Sequence, residues 1–263
     1  MHAHFVQGDE LASFAEGAPR LAQLPALDAA AGVTHSALIV IAKRGDVEGT
    51  RVQNDAVIAF ARKSGGHFFA VCSVHPMDGE AAVAELERVA ALGVKVVKLH
   101  PNTQRFDVGA PEVAALIAAT AQQKLVVLFD GFSPFDANQT GKFLMLAVQN
   151  PEARMILAHA GGPKFDEFVQ FGMLRPFPWY QRNVWVDLSA TAHFFADSPY
   201  EDQLVWLARQ IGVDRVLFGS DFPIDSPAHA AEDFRRLGFT AEEEQRIFHD
   251  NAVELLGLDA AAH

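Results

Sequence analysis

Seven short, nearly continuous apolar runs, each followed by an Ala/Glu/Leu-rich stretch with apolar positions three and four apart, predict an α/β chain of the (β/α)8 barrel class. Three observations carry this. The alternation starts near residue 33 and persists to the end of the chain. The runs lack a polar side, as strands of a parallel sheet covered on both faces do. At 263 residues the chain has an ordinary length for one such domain, and no Gly-x-Gly-x-x-Gly follows the early strands to favour a doubly wound open sheet, the alternative reading.

The runs are THSALIVIA (34–42), HFFAVCSV (67–74), VKVVKLH (94–100), KLVVLFD (124–130), RMILAH (154–159), NVWVDLS (183–189) and DRVLFGSD (214–221). MHAHF at the start supplies an eighth strand. Only Met1 precedes its first histidine, so that strand is either short or clipped at its start. Helices are expected near 52–63, 79–92, 111–123, 138–149, 164–171, 200–211 and 226–237. A closing helix begins at the capping box Thr240/Glu243 and stops at Gly257. One domain spans 1–263.

Composition narrows the partners. Half the residues are apolar, and 21 basic against 33 acidic residues give a formal charge of −12. That balance disfavours nucleic acid and anionic membranes and leaves a small molecule as the expected partner. The only cysteine, Cys72, lies in an apolar run, which excludes a disulfide framework and points to a reducing cytoplasm. No apolar stretch reaches the roughly 18 residues that span a bilayer, and the start does not resemble a signal peptide. The aromatic-rich FDEFVQFGMLRPFPWYQRN (165–183) is expected to form a lid, a contact between copies of the chain, or a local cluster beneath its loop.

In a barrel of this class the chemistry sits where strands end. Here those ends carry His75, Lys98 with His100, Asp130, His159 before Gly161-Gly162, Asp187 with Ser189, and Asp221. His35 and His67 begin their strands and are read as structural. Asp187 is read as a structural acid, His193 as a lid or pocket residue, and His229 and His249 as solvated helix residues. Alternate residues of a strand share a face about 7 Å apart. His2 and His4 can therefore both face the barrel mouth and meet a carboxylate from the eighth strand, with a third ligand from the fifth or sixth. Imidazole plus carboxylate suits Zn2+, Mn2+ or Fe2+.

The set His2-x-His4, GVKVVKLHP (93–101), LAHAGG (157–162), LFGSDFP (217–223) and NAVELLGL (251–258) resembles the amidohydrolase superfamily. The nearest branch is the amidohydrolase-related one that includes aminocarboxymuconate semialdehyde decarboxylase-like proteins. The resemblance covers nearly the whole chain. It implies a metal-dependent barrel enzyme in which the first-strand histidines, a fifth-strand histidine and the eighth-strand aspartate hold one divalent metal, with the sixth-strand histidine assisting catalysis. Carried onto this chain, the metal set is His2, His4, Asp130 and Asp221, with zinc expected first and manganese or iron as alternatives. Asp130 stands where the family carries histidine, and His100 or His159 are the other sources of that ligand.

The expected chemistry is hydrolysis of a small carboxylate-bearing amide, ester or lactone by a metal-activated water. Asp221 is the expected proton acceptor and donor, and His159 polarises the carbonyl. Lys98 and His100 bind the substrate carboxylate. A decarboxylase of the same family is the alternative, and a metal-free ligand-binding barrel a further one.

Overall fold

Eight strands line up in chain order, β1 to β8, every neighbouring pair parallel. They are β1 His2–His4, β2 Ser36–Ile39, β3 Phe68–Ser73, β4 Val96–Leu99, β5 Val126–Asp130, β6 Arg154–Ala158, β7 Val184–Asp187 and β8 Val216–Leu217. This is a computed structural model, and it describes the backbone of residues 2–4 and the chain from 21 to 258. The (β/α)8 expectation holds, and each of the seven apolar runs contains its strand.

Helices cover the outside: α1 Leu24–Ala31, α2 Val47–Lys63, α3 Glu80–Ala91, α4 Pro101–Gln104, α5 Pro111–Gln122, α6 Gln139–Gln149, α7 Val169–Leu174, α8 Thr191–Phe195, α9 Glu201–Ile211, α10 Pro227–Arg236, α11 Ala241–Gln245 and α12 Asn251–Leu256. The sequence did not suggest α1, α4 or α8. The first has a Pro near its N-terminus and ends at Gly32, whose φ of +72° suits glycine. The other two are single turns of four and five residues. None of the described helices is long and apolar enough to cross a membrane.

Strand alternation separates two cores. Outward residues such as Leu38, Cys72, Val97, Leu99, Val127, Phe129, Met155 and Leu157 pack against the helices. Inward residues Ala37, Ile39, Val71, Val96, Val126, Leu128, Ile156, Ala158 and Leu217 fill the barrel. Each fully buried Phe or Leu of these cores is worth roughly 2–5 kcal/mol against truncation to alanine. Register extends the inward rows upward. Lys98 stands two residues after Val96, and Asp130 two after Leu128, so both belong to the inward set near the strand ends.

The opposite end is closed by α12. Ala252, Leu255 and Leu256 join the inward cluster, while Lys95 Nζ donates to the Gly257 carbonyl at 2.6 Å and Arg154 Nη1 to that of Leu255 at 2.9 Å. The anticipated capping box forms at Thr240/Glu243, and Gly257 ends α12 at φ +56°. Between α11 and α12 the backbone widens into one π turn, Arg246–Asp250, whose Ile247 carbonyl takes the N–H of Phe218. That bond draws the chain away from the sheet and leaves β8 with two residues, where the apolar run suggested more.

Candidate active site

Five side chains meet above the inward core at the strand ends: Lys98, His100, Asp130, His159 and Asp221. Asp130 lies between two imidazoles, its Oδ2 3.2 Å from His100 Nε2 and 3.6 Å from His159 Nε2. The second spacing is that of an ion pair rather than a hydrogen bond. The charge of Asp221 reaches both histidines.

Local chain geometry sets each of these. His100 follows β4 and caps α4. Its N–H donates to Gln104 Oε1 at 2.7 Å, and Gln104 Nε2 in turn donates to the carbonyls of Ala42 and Val74. One buried glutamine thus ties three strand ends together. His75, also buried, bonds the Gln104 carbonyl through Nε2 at 2.8 Å and caps the following turn through Nδ1, so it acts as a brace.

His159 leaves β6 at φ +65° and Asp221 follows β8 at φ +57°, a region that non-glycine residues seldom occupy. The Phe222-Pro223 peptide after it is cis. Asp187 holds His159 from behind: its Oδ1 accepts from the His159 N–H at 3.1 Å and from the Ser189 N–H at 3.0 Å, and also from the Ser189 hydroxyl. The Ser189 carbonyl lies 3.1 Å from His159 Nδ1 and can only accept, so Nδ1 bears a proton and Nε2 faces Asp130. The structural reading of Asp187 fits this placement.

Electrostatics sort the two histidines. Burial pushes the His159 imidazolium down, but the carboxylates of Asp130, Asp221 and Asp187 outweigh it and raise its pKa to about 9. Burial also dominates at His100. Helped by the charges of Lys98 and His159 and only partly opposed by Asp130 and Asp221, it brings His100 down to about 4. Burial alone raises the Asp130 carboxyl, yet His159, His100 and Lys98 together hold it well below the usual carboxylate range. In the metal-free protein these shifts favour a charged His159, a neutral His100 and an ionised Asp130 at neutral pH. Lys98 is almost wholly buried, and among the described residues its ammonium has no hydrogen-bond or ion-pair partner.

Register sets His2 beside Ala37 and His4 beside Ile39, two members of the inward row. Their side chains lie outside the described residues. The structure therefore brings together Lys98, His100, Asp130, His159 and Asp221 and leaves the two first-strand donors undescribed. Gly131 permits the close approach of β5 and β6: its N–H donates to the Ala158 carbonyl at 3.1 Å, and a Cβ there would sit 2.3 Å from that oxygen.

Other histidines singled out in the sequence lie outside this cluster. His67 bonds Asp28 at 2.9 Å at the strand-start end, as a structural residue would. His229 is exposed on its helix, as expected, and bonds the buried Asp225, while His193, read as a lid or pocket residue, is likewise exposed and bonds the buried Asp233. The aromatic segment divides: Phe165, Phe168, Phe171 and Tyr180 join the core, while Met173, Phe177 and Trp179 stay exposed.

Comparison with known proteins follows the same lines. A manganese-bound dihydroxybenzoic acid decarboxylase from Polaromonas sp. JS666, crystallised with 2-nitroresorcinol, superposes with a TM-score of 0.69 at 18% identity, covering 90% of this chain and 86% of that one. The 5-carboxyvanillate decarboxylase of Sphingomonas paucimobilis gives 0.68 at 16% identity, over 89% and 82%. An uncharacterised Tim-barrel protein of Bordetella bronchiseptica gives 0.73 at 20%, over 90% and 83%. At these identities the likeness is one of fold. No curated protein matches in sequence. The family profile described as amidohydrolase matches residues 1–258, and with it the strand-end residues gathered here. The chain belongs to the amidohydrolase family of enzymes.

Proposed function

We propose that this enzyme is a metal-dependent decarboxylase of a small conjugated carboxylic acid, rather than the hydrolase that the strand-end residues first suggest. The observation that carries the reading is the placement of His159: its Nδ1 is fixed by the Ser189 carbonyl and its Nε2 is turned to Asp130, among carboxylates that in the metal-free protein raise its pKa to about 9, in the same cluster as a buried lysine. Replacing a carboxylate by hydrogen needs a proton delivered to carbon, which a raised histidine can supply. The two decarboxylases that share the fold support the same direction.

The donor set fits a divalent cation. Asp130 and Asp221 offer oxygens and His100 a neutral nitrogen, and with Asp187 three carboxylates stand against two cations, Lys98 and His159. His2 and His4 on β1, with Asp130 and Asp221, would hold the ion. Their mixed oxygen and nitrogen chemistry admits zinc, manganese or iron. When bound, the ion supplies a Lewis acid that polarises the substrate's oxygen substituents.

The chain's own residues do the rest. Lys98 gives the low-dielectric mouth a positive charge and draws in the anionic substrate, with neutral His100 as a hydrogen-bonding neighbour. His159 passes its Nε2 proton to the carbon that loses CO2, so that one C–C bond breaks as one C–H bond forms. Asp130 and Asp187 hold that imidazolium in place. Solvent supplies the proton that restores the His159 imidazolium after product leaves, and the nearby Asp221 charge favours its uptake.

Hydrolysis of a carboxylate-bearing amide, ester or lactone remains a second reading. It is favoured by the carboxylate of Asp221 near both histidines, a group able to take a proton from water. A metal-free ligand-binding barrel is the third. Carboxylate-bearing aromatic acids incubated with manganese-loaded protein distinguish them: CO2 release that disappears in His159→Asn supports decarboxylation, whereas cleavage that takes up labelled water supports hydrolysis.

A further inference from the structure

Outside the strand-end cluster a second group of chemistry-bearing side chains converges between the segment after β7 and α10. His193 lies on α8, Asp225 just before α10, and His229 and Asp233 one turn apart on that helix. One nitrogen or carboxylate oxygen from each lies within 4.8 Å of one from each of the others. His193 Nδ1 is 2.6 Å from Asp233 Oδ2, His229 Nδ1 is 2.8 Å from Asp225 Oδ1, and His229 Nε2 is 3.6 Å from Asp233 Oδ2. Only one ring nitrogen of His229 can meet a given ion, and with one ligand atom from each residue the four still lie within 4.8 Å of one another, against a roughly 3.3 Å edge for a zinc tetrahedron with bonds near 2.0–2.1 Å.

Two features argue against a simple ion-pair network. First, Asp225 is 8% exposed, and its Oδ2 is buried with no hydrogen-bond partner. A carboxylate oxygen left so is costly unless a cation or donor meets it. Second, the two imidazole rings stand 4.9 Å apart, so neutralising both acids by protonating both rings puts two positive charges side by side. A divalent ion supplies the same charge with both rings neutral. Both histidine side chains are nearly half exposed while the acids are buried, which leaves an entry for an ion from solvent. Arg236 Nη1 donates to Asp233 Oδ1 at 3.2 Å and turns the other oxygen toward the cluster, the kind of support that ligands of bound metals have.

We propose that His193, Asp225, His229 and Asp233 form a divalent-cation site of zinc type, separate from the strand-end centre, which ties the segment after β7 to α10. The set of two nitrogens and two oxygens lies within one chain and would supply four ligands, the number that structural zinc sites use. It would hold together the two segments that carry the loops after β7 and β8.

The test is metal titration of the metal-free full chain with Zn2+ and Co2+, by equilibrium dialysis and by the visible absorption of tetrahedral cobalt. Wild type, His229→Ala, Asp225→Asn and Asp221→Ala are compared, each checked for native circular dichroism. His229→Ala and Asp225→Asn are expected to bind one ion fewer than wild type, or that ion more than about 100-fold more weakly, since even residues behind metal ligands cost about 10- to 100-fold. Asp221→Ala is expected to retain the cobalt spectrum of this cluster. Equal binding in wild type, His229→Ala and Asp225→Asn overturns the proposal, as does binding confined to millimolar metal. Should His229→Ala not fold, the near-isosteric Asp225→Asn decides. One ion in wild type, lost in His229→Ala and kept in Asp221→Ala, supports this site while refuting a metal at the strand ends.

Discussion

Oδ2 of Asp130 lies 3.6 Å from Nε2 of His159, and this pair sets the protonation of the whole strand-end cluster. The same oxygen is nearer still to His100, yet that histidine is pulled down while His159 is pushed up. The difference lies in their neighbours: His100 sits next to the Lys98 charge, His159 among three carboxylates. Asp130→Asn removes the nearest of those. In metal-free protein the His159 pKa is expected to fall from about 9, because burial then acts with less opposition. Titration of the imidazole resonances by NMR reads this directly.

His100 makes the metal-free fold sensitive to acid. Its folded pKa, about 4, lies below the ordinary 6.5, so on acidification the unfolded chain takes up this proton first. Its contribution is intact above pH 6.5 and is lost as pH falls through about 4. His100→Asn keeps a side chain able to cap α4 but removes the titration. Urea unfolding across that window is expected to show a shallower decline for the variant than for wild type.

Lys98 is buried without a described partner, so its loss costs little structure. Lys98→Met fills similar space with apolar atoms. For an anionic substrate, KM is expected to rise about 10- to 100-fold, in line with about 1.5–3 kcal/mol for a hydrogen bond to a charged group. The melting temperature should hold or rise. A neutral substrate analogue should lose far less.

Gly131→Ala tests how tightly the site depends on the approach of β5 and β6. The added Cβ would meet the Ala158 carbonyl at 2.3 Å, a backbone atom that cannot swing aside. Separation of the strands there moves Asp130 and His159, the residues on either side. A loss of about 1–3 kcal/mol of stability, together with at least tenfold lower activity, is expected. Gly32→Ala, at positive φ but with nothing within 4 Å of the new methyl, should cost stability alone.

Much of this arrangement was legible from the sequence because strand ends obey simple rules. Val96, Lys98 and Leu128, Asp130 alternate into the barrel, and a Gly-Gly after His159 marks a turn that lifts an imidazole to the mouth. The pairing of one aspartate with two histidines was not legible, since β4, β5 and β6 meet there only through register. Nor was the His193/Asp225/His229/Asp233 group, because α8 is a single turn with no periodicity to announce it. The short β8 has a cause equally remote in sequence, the bond from Phe218 to Ile247. The choice between hydrolysis and decarboxylation was not legible either, since the setting of His159 depends on carboxylates at the ends of β5 and β7 and beyond β8 that only the fold assembles.

The central claim is that His159 delivers a proton to carbon as CO2 departs. The direct measurement is product analysis in deuterated water, with 2,6-dihydroxybenzoate and 5-carboxyvanillate as probe acids and manganese-loaded wild type beside His159→Asn. The account predicts CO2 release with one deuterium at the vacated carbon in wild type, reduced by at least about 100-fold in the variant. Turnover of a carboxylate-bearing lactone or amide with oxygen taken from water, and no CO2 from either acid, would contradict it.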